Sequence, residues 1–99
     1  MRPIMVTSLD KMRPVLVLTR EEVRAVRTDI TVAPITSTVR GLSTEVPVGP
    51  RNGIDHDSVV QCDNIITIKA DRLGRTIGYL FPDQEPTLTE AIIRAFDLE

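Results

Sequence analysis

A succession of short aliphatic and β-branched runs, each ended by proline, glycine or charge and followed by a single helical pattern, constrains this chain most. Pro3 to Leu9 predicts a first strand. Pro14 to Thr19 predicts a stronger one, a continuous aliphatic run suited to burial inside a sheet. Arg20 to Arg27 is charged, with Val23 and Val26 three apart, and reads as a helical turn or exposed connection. Ile30 to Ile35 returns to β-branched residues, with Pro34 near its end, where proline can sit at an edge or bulge. Thr44 to Val48 is a short strand closed by the dense turn signal Gly49 to Gly53. Ser58 to Gln61 and Ile65 to Ile68 read as a β-rich pair, Lys69 to Gly74 as a helical turn stopped by glycine, and Arg75 to Leu80 as an alternating strand. Leu88, Ala91, Ile92, Ala95 and Phe96 then recur at helical spacing. Asp83 is one expected cap for that helix, and Thr87 with Glu90 three residues on is the other. Many short strands without long helices between them imply an α+β chain. Its sheet is mostly antiparallel, curled or closed into a small barrel, and partly covered by the C-terminal helix. Ninety-nine residues enclose one core, so residues 1–99 are expected to form a single domain.

Composition narrows the function classes. Two Phe, one Tyr and no Trp are too few rings for a binder that stacks successive bases of a single strand. No apolar run approaches the ~20 residues that span a bilayer, and no secretory leader is legible, so no membrane association is expected. Cys62 is the single cysteine. With no intramolecular disulfide to make, it suits a reducing cytosol, and a cytoplasmic location is expected. The net charge is −2, but unevenly spread. Residues 1–81 carry eleven Lys and Arg against nine Asp and Glu, or +2, whereas residues 82–99 carry Arg94 against five acids, or −4. Most of the cations are Arg, the better partner for bidentate phosphate contact. This distribution permits RNA as a ligand and equally permits a solvated surface of mixed charge.

Few residues offer catalytic chemistry. One His and one Cys, with no H-E-x-x-H or C-x-x-C spacing, give no metal site, and Asp55-His56-Asp57 reads as a solvated turn. No phosphate-binding glycine loop and no nucleophile elbow are present. No cofactor is expected. RNA cleavage needs little more than this, because RNA supplies its own nucleophile, the 2′-hydroxyl. The enzyme aligns that group and stabilises charge on the phosphoryl oxygens. An arginine and a hydroxyl on adjacent strands meet that need. Arg13 before the aliphatic strand, and Thr36-Ser37-Thr38 after the Ile30–Ile35 strand, are the residues available. Their bland reading is a surface arginine and an ordinary loop.

The segment Arg13 to Leu18 (R-P-V-L-V-L) resembles the R-P-[VA]-[LV]-V-[LI] signature of MazF/PemK toxins, and Val32 to Ser37 (V-A-P-I-T-S) is similar to their V-x-P-[VIL]-T-[ST]. Ser58 to Ile68 resembles their S-V-[VI]-x-[CL]-[DE]-Q-x-x-T-I, and Arg72 to Gly78 their R-L-x-x-x-I-G. In order and spacing the resemblance covers roughly residues 12 to 98. It implies a small SH3-like barrel of the CcdB/PemK type that dimerises and acts as a metal-independent, sequence-specific endoribonuclease. Such a toxin cleaves single-stranded RNA to 2′,3′-cyclic phosphate and 5′-hydroxyl ends, inhibits translation and growth, and is neutralised by an antitoxin. By motif position, Arg13 matches the family's catalytic arginine, Thr36 its catalytic threonine and Asp63 an acidic residue tied to proton transfer or base contact. Ser37, Gln61 and Asn64 match RNA-contacting positions. Arg40 and Arg24 are further RNA contacts by proximity in sequence.

Three departures from the family pattern stand out. Met1 to Met12 is shorter than the family's first strand and long loop, Gln61 replaces an arginine that some members use as an acid, and Asn64 replaces the commoner glutamine. The alternative is a non-nucleolytic toxin of the same fold acting on a protein partner such as gyrase, which needs neither Arg13 nor Thr36. A catalytically inactive relative is a further one. A homodimer is expected to bury the Ile30–Ile35 strand edge or the terminal helix. The antitoxin is expected to be an acidic, partly disordered segment lying in an arginine-lined groove.

Overall fold

The computed structural model describes residues 1–8 and 11–98. Leu9, placed by the sequence at the end of the first strand, lies outside the described residues. The strands are β1 (Arg2–Ser8), β2 (Met12–Val17), β3 (Asp29–Thr36), β4 (Glu45–Val48), β5 (Ser58–Gln61), β6 (Ile66–Lys69) and β7 (Leu73–Leu80). They form one antiparallel sheet in the order β4-β5-β3-β2-β1-β7, with β6 beside β3. A short helix, α1 (Glu21–Arg24), links β2 to β3, and α2 (Glu85–Phe96) ends the chain. The result is the expected α+β arrangement, a curled half-barrel with a C-terminal helix.

Strand alternation divides the core. Leu16 of β2 joins Ala33, Ile35, Val60 and Leu80 beneath Leu88 and Ala91 of α2. Val15 and Val17 point the opposite way, toward Ile30, Val32 and Ile68, where Met5 and Leu73 pack. All three β2 residues are at most 1% exposed, so the strand is buried on both faces as its unbroken aliphatic run requires. Each such side chain contributes about 1.5–3 kcal/mol by leaving water.

The curl is tied shut by a polar joint. A 3₁₀ turn, Pro50–Asn52, packs against β7, and Asn52 is fully buried. Asn52 Nδ2 donates to the Tyr79 carbonyl and to Gln84 Oε1, each at 2.8 Å. Its Oδ1 accepts from the Gly49 N–H at 3.1 Å and from Gln84 Nε2 at 3.2 Å. Turn and strand come so close that only glycine fits. A Cβ on Gly53, whose φ is +82°, would stand 2.0 Å from the Ile77 carbonyl oxygen, and one on Gly78 would stand 1.9 Å from that of Asn52.

Four details differ from the sequence reading. Ser58–Gln61 and Ile65–Ile68 do not pair with each other. A 3₁₀ turn at Cys62–Asn64 separates them, and they pair with different halves of β3. Gly74 does not stop a helix but lies within β7. The preceding turn, Ala70–Arg72, is held to the sheet because Thr7 Oγ1 donates to the Arg72 carbonyl at 2.7 Å. Helix α2 begins at Glu85 with Pro86 in its first turn, so Thr87 is helical rather than a cap, and Asp83 instead pairs with Arg51 at 2.9 Å. The Ile30–Ile35 segment offers a dimer no free edge, since β3 has β2 on one side and β6, then β5, on the other. The handover from β6 to β5 skips Ala33 and Pro34, which is where a residue without an N–H is tolerated.

Asn52→Ala should leave the Gly49 amide and the Tyr79 carbonyl without their partners. The expected loss is roughly 2–6 kcal/mol of stability, at about 1–3 kcal/mol for each of the two buried groups, read from urea unfolding.

Candidate active site

The pairing of β2 with β3 sets Val15 opposite Pro34. Arg13 lies two residues before Val15 and Thr36 two residues after Pro34, so both stand beyond the same end of that pairing. Thr7 of β1 lies opposite Arg13, and Val59 of β5 opposite Thr36, so both residues are flanked by paired strands. Arg13, Thr36 and Ser37 line one cleft of about 440 Å³. Its remaining polar lining comes from Lys11, Asp55, His56, Ser58 and Arg75, over walls that include Ile35, Ile54 and Ile77. Lys11, Arg13 and Arg75 face a single carboxylate, Asp55, so the described lining is cationic. An arginine and a hydroxyl on rigid neighbouring strands, within such a lining, are arranged to hold a phosphodiester and stabilise added negative charge on it.

Four residues of this cleft were not identified from the sequence. Lys11 and Arg75 are separated by most of the chain and meet because β1 lies between β2 and β7. Arg75 did carry a local signal, its two-residue spacing from Ile77, which puts both on one face of β7. Asp55 and His56 read as a solvated turn, but the joint at Asn52 carries that turn to the rim of the cleft. Ser58 Oγ donates to the His56 carbonyl at 3.0 Å and braces it. Among the described residues no group of three or more His, Cys, Asp and Glu could hold a metal ion.

Asp63, Gln61, Asn64 and Arg40 come together elsewhere. They line a second depression of about 170 Å³ with Leu42, Thr44 and Glu45. The Cys62–Asn64 turn carries Asp63 toward β4, where the Thr44 hydroxyl donates to its carboxylate, and away from Arg13 and Thr36. Arg24 is more distant still, lining a depression with Met1 and Arg20 near the other end of β2. A loop joins the first two depressions, running from Ser37 to Thr44. The Glu45 carboxylate holds it by accepting from the Arg40, Gly41 and Leu42 amides at 2.9 to 3.3 Å, around Gly41 at φ +75°. Cys62 plays no chemical part. It is buried in the core cluster that includes Leu88 and Ala91 of α2, and its thiol is pushed up to about 11 by desolvation and then by the nearby Asp63 charge.

Residues 4–96 match the sequence model of the PemK-like, MazF-like toxins of type II toxin–antitoxin systems. The chain belongs to this family. It is 63% identical over 99 residues to the protein named endoribonuclease MazF3 of Mycobacterium tuberculosis, covering 100% of this chain and 96% of the relative. The M. tuberculosis toxin MazF-mt6 superposes with a TM-score of 0.97 at 62% identity, over 99% of both chains. An endoribonuclease solved with its cognate antitoxin, from a mycobacterial species, superposes at 0.87 over 98% of this chain and 93% of its own. At 24% identity that likeness concerns the fold.

Two outcomes check the site's construction. Glu45→Ala should speed hydrogen exchange of the Arg40, Gly41 and Leu42 amides by about tenfold or more, equivalent to about 1.4 kcal/mol of local stability. Cys62 should resist alkylation at pH 8 in the folded protein and react quickly in urea, because both burial and its raised pKa suppress the thiolate.

Proposed function

We propose that this toxin is a metal-independent endoribonuclease that cuts single-stranded RNA through attack of the 2′-hydroxyl, leaving a 2′,3′-cyclic phosphate and a 5′-hydroxyl. The observation that carries this reading is the placement of Arg13 and Thr36 on facing strands in a cationic cleft. A relative named endoribonuclease, 63% identical over the whole chain, supports it. Arg13 neutralises the phosphorane, Thr36 hydrogen-bonds a phosphoryl oxygen or orients the 2′-hydroxyl, and Ser37 contacts the backbone beside them. The second depression suits flanking nucleotides, with Gln61, Asn64 and Arg40 contacting bases and phosphate. Asp63, sited there, acts in base contact and not in proton transfer at Arg13. A gyrase-directed toxin of this fold has no use for the Arg13–Thr36 pair, so the nuclease is favoured.

The rest of the reading follows from the family. The chain works as one domain over residues 1–99, in the cytoplasm, where its cleavage arrests translation and growth. No helix among the described residues is long and apolar enough to cross a membrane. A type II system pairs the toxin with a protein antitoxin, and an acidic segment of that partner suits the cleft that RNA occupies. A homodimer would use surface other than β3. Phe96 and Leu98, 54% and 60% exposed beside the helix end, supply apolar area for it.

Cleavage of a mixed RNA pool in excess EDTA, with Arg13→Ala alongside, tests the reading. The wild type should cut and leave cyclic phosphate ends, and Arg13→Ala should lose about 10²–10³ in rate while remaining folded. Equal cutting by both proteins, or none by the folded wild type, would overturn it.

A further inference from the structure

The pairing of β7 with β1 is interrupted where β7 reaches the cleft. Ile4 faces Gly78, Met5 faces Thr76 and Thr7 faces Leu73, so the register shifts twice within a few residues. At the second shift Gly74 and Arg75 stand against Val6 alone, which is a β-bulge. The shifts decide where Arg75 points. Counted on from Ile4 and Gly78 as a regular ladder, Arg75 would stand opposite Thr7, whose side chain is fully buried and donates to the Arg72 carbonyl. Successive residues of a strand face opposite sides, and it is Val6 that lines the cleft. The bulge sets Arg75 beside Val6, where its side chain is exposed and forms part of the cleft wall. Gly74 permits the approach, since a Cβ there would stand 3.0 Å from the Val6 carbonyl oxygen.

We propose that Arg75 is an RNA-binding residue that holds the phosphate next to the one cleaved. The inference rests on the nuclease reading of the cleft. Among the described residues Arg75 has no hydrogen-bond or ion-pair partner, although the Asp55 carboxylate lines the same cleft. Its guanidinium donors are therefore available to a ligand, and their planar fork matches two oxygens of a phosphate. β1 separates β7 from β2, so the backbones at Arg75 and Arg13 stand roughly 10 Å apart, two strand spacings. Two guanidinium groups rooted at that separation suit neighbouring phosphates, which divides the work between them. Arg13 acts on the scissile phosphate, and Arg75 fixes the strand beside it. A contact made equally in the bound substrate and in the transition state strengthens binding without speeding the chemical step.

The test is fluorescence-anisotropy binding of a mixed-sequence single-stranded RNA carrying 2′-O-methyl groups throughout, which cannot be cleaved, over a range of salt. Wild type, Arg75→Ala, Arg75→Lys and Arg27→Ala are compared, the last removing an exposed arginine outside the cleft. Arg75→Ala should bind about three- to tenfold more weakly, the loss of one partly solvated charged contact. Its log–log salt slope should be shallower by about 0.7, the increment for one phosphate on a single strand. Arg75→Lys should keep the wild-type slope, a pattern that a merely structural role for Arg75 would not produce. Arg27→Ala should match the wild type in both affinity and slope. In cleavage of unmodified RNA the loss in Arg75→Ala should fall on KM rather than on kcat, the opposite of Arg13→Ala. Wild-type affinity and slope in Arg75→Ala, an equal loss in Arg27→Ala, or a loss confined to kcat would overturn the inference and leave the nuclease reading standing. Failure of the wild type to bind or cut RNA would overturn both.

Discussion

Everything around the cleft depends on how the curled sheet is closed. Its edge strands, β4 and β7, are joined through the 3₁₀ turn that follows β4, with the Asn52 side chain acting as the fastener. A buried amide is costly unless its donors and acceptor are matched, and here both are engaged, so a polar group becomes a specific lock. Gly53 and Gly78 allow the approach that the lock requires, since a β-carbon on either would overlap a carbonyl of the facing segment. The residues directly after the lock, Ile54 to His56, form one wall of the cleft. Closure and site formation are thus a single event.

The opposite wall comes from the pairing of β2 with β3. β2 is packed on both faces, and β3 has neighbours on both sides, so neither shifts register without displacing every side chain of the core. Arg13 and Thr36 sit where that rigid pair emerges at the surface. Catalysis that relies on aligning the substrate's own hydroxyl and stabilising charge needs positional accuracy more than a special titrating group, and strands with locked register provide it. The softer Ser37–Thr44 loop is restrained separately by the Glu45 carboxylate. It leads from this rigid centre to the second depression, where Asp63, Gln61 and Asn64 gather.

Much of this was legible in the chain itself. The aliphatic run of β2 and the helical spacing of Leu88, Ala91 and Ile92 report burial directly, because apolar periodicity is the record of which face leaves water. Motif order placed Arg13, Thr36 and Ser37 together, and the structure assembles them in one cleft. Asp63 was grouped with them by the same motifs yet lies in the neighbouring depression, because a 3₁₀ turn redirects the chain immediately after β5 and leaves no periodicity to betray it. The expected caps of α2 went wrong for a related reason. Asp83 is drawn away by Arg51, a partner distant in sequence, and proline in the first helical turn moved the start upstream of Thr87.

The sequence alone determined the class of fold, the C-terminal helix, the doubly buried strand and the identity of the arginine and hydroxyls that line one cleft. Those properties are set locally, by side-chain polarity, spacing and motif. Tertiary structure alone decided that β6 and β5 divide β3 between them, that the solvated turn of Asp55 and His56 stands at the rim of the cleft, and that Lys11 and Arg75 join Arg13. Each of those outcomes follows from which strands become neighbours when the sheet curls. That choice is made by long-range packing and by one buried amide, and no short window of residues records it.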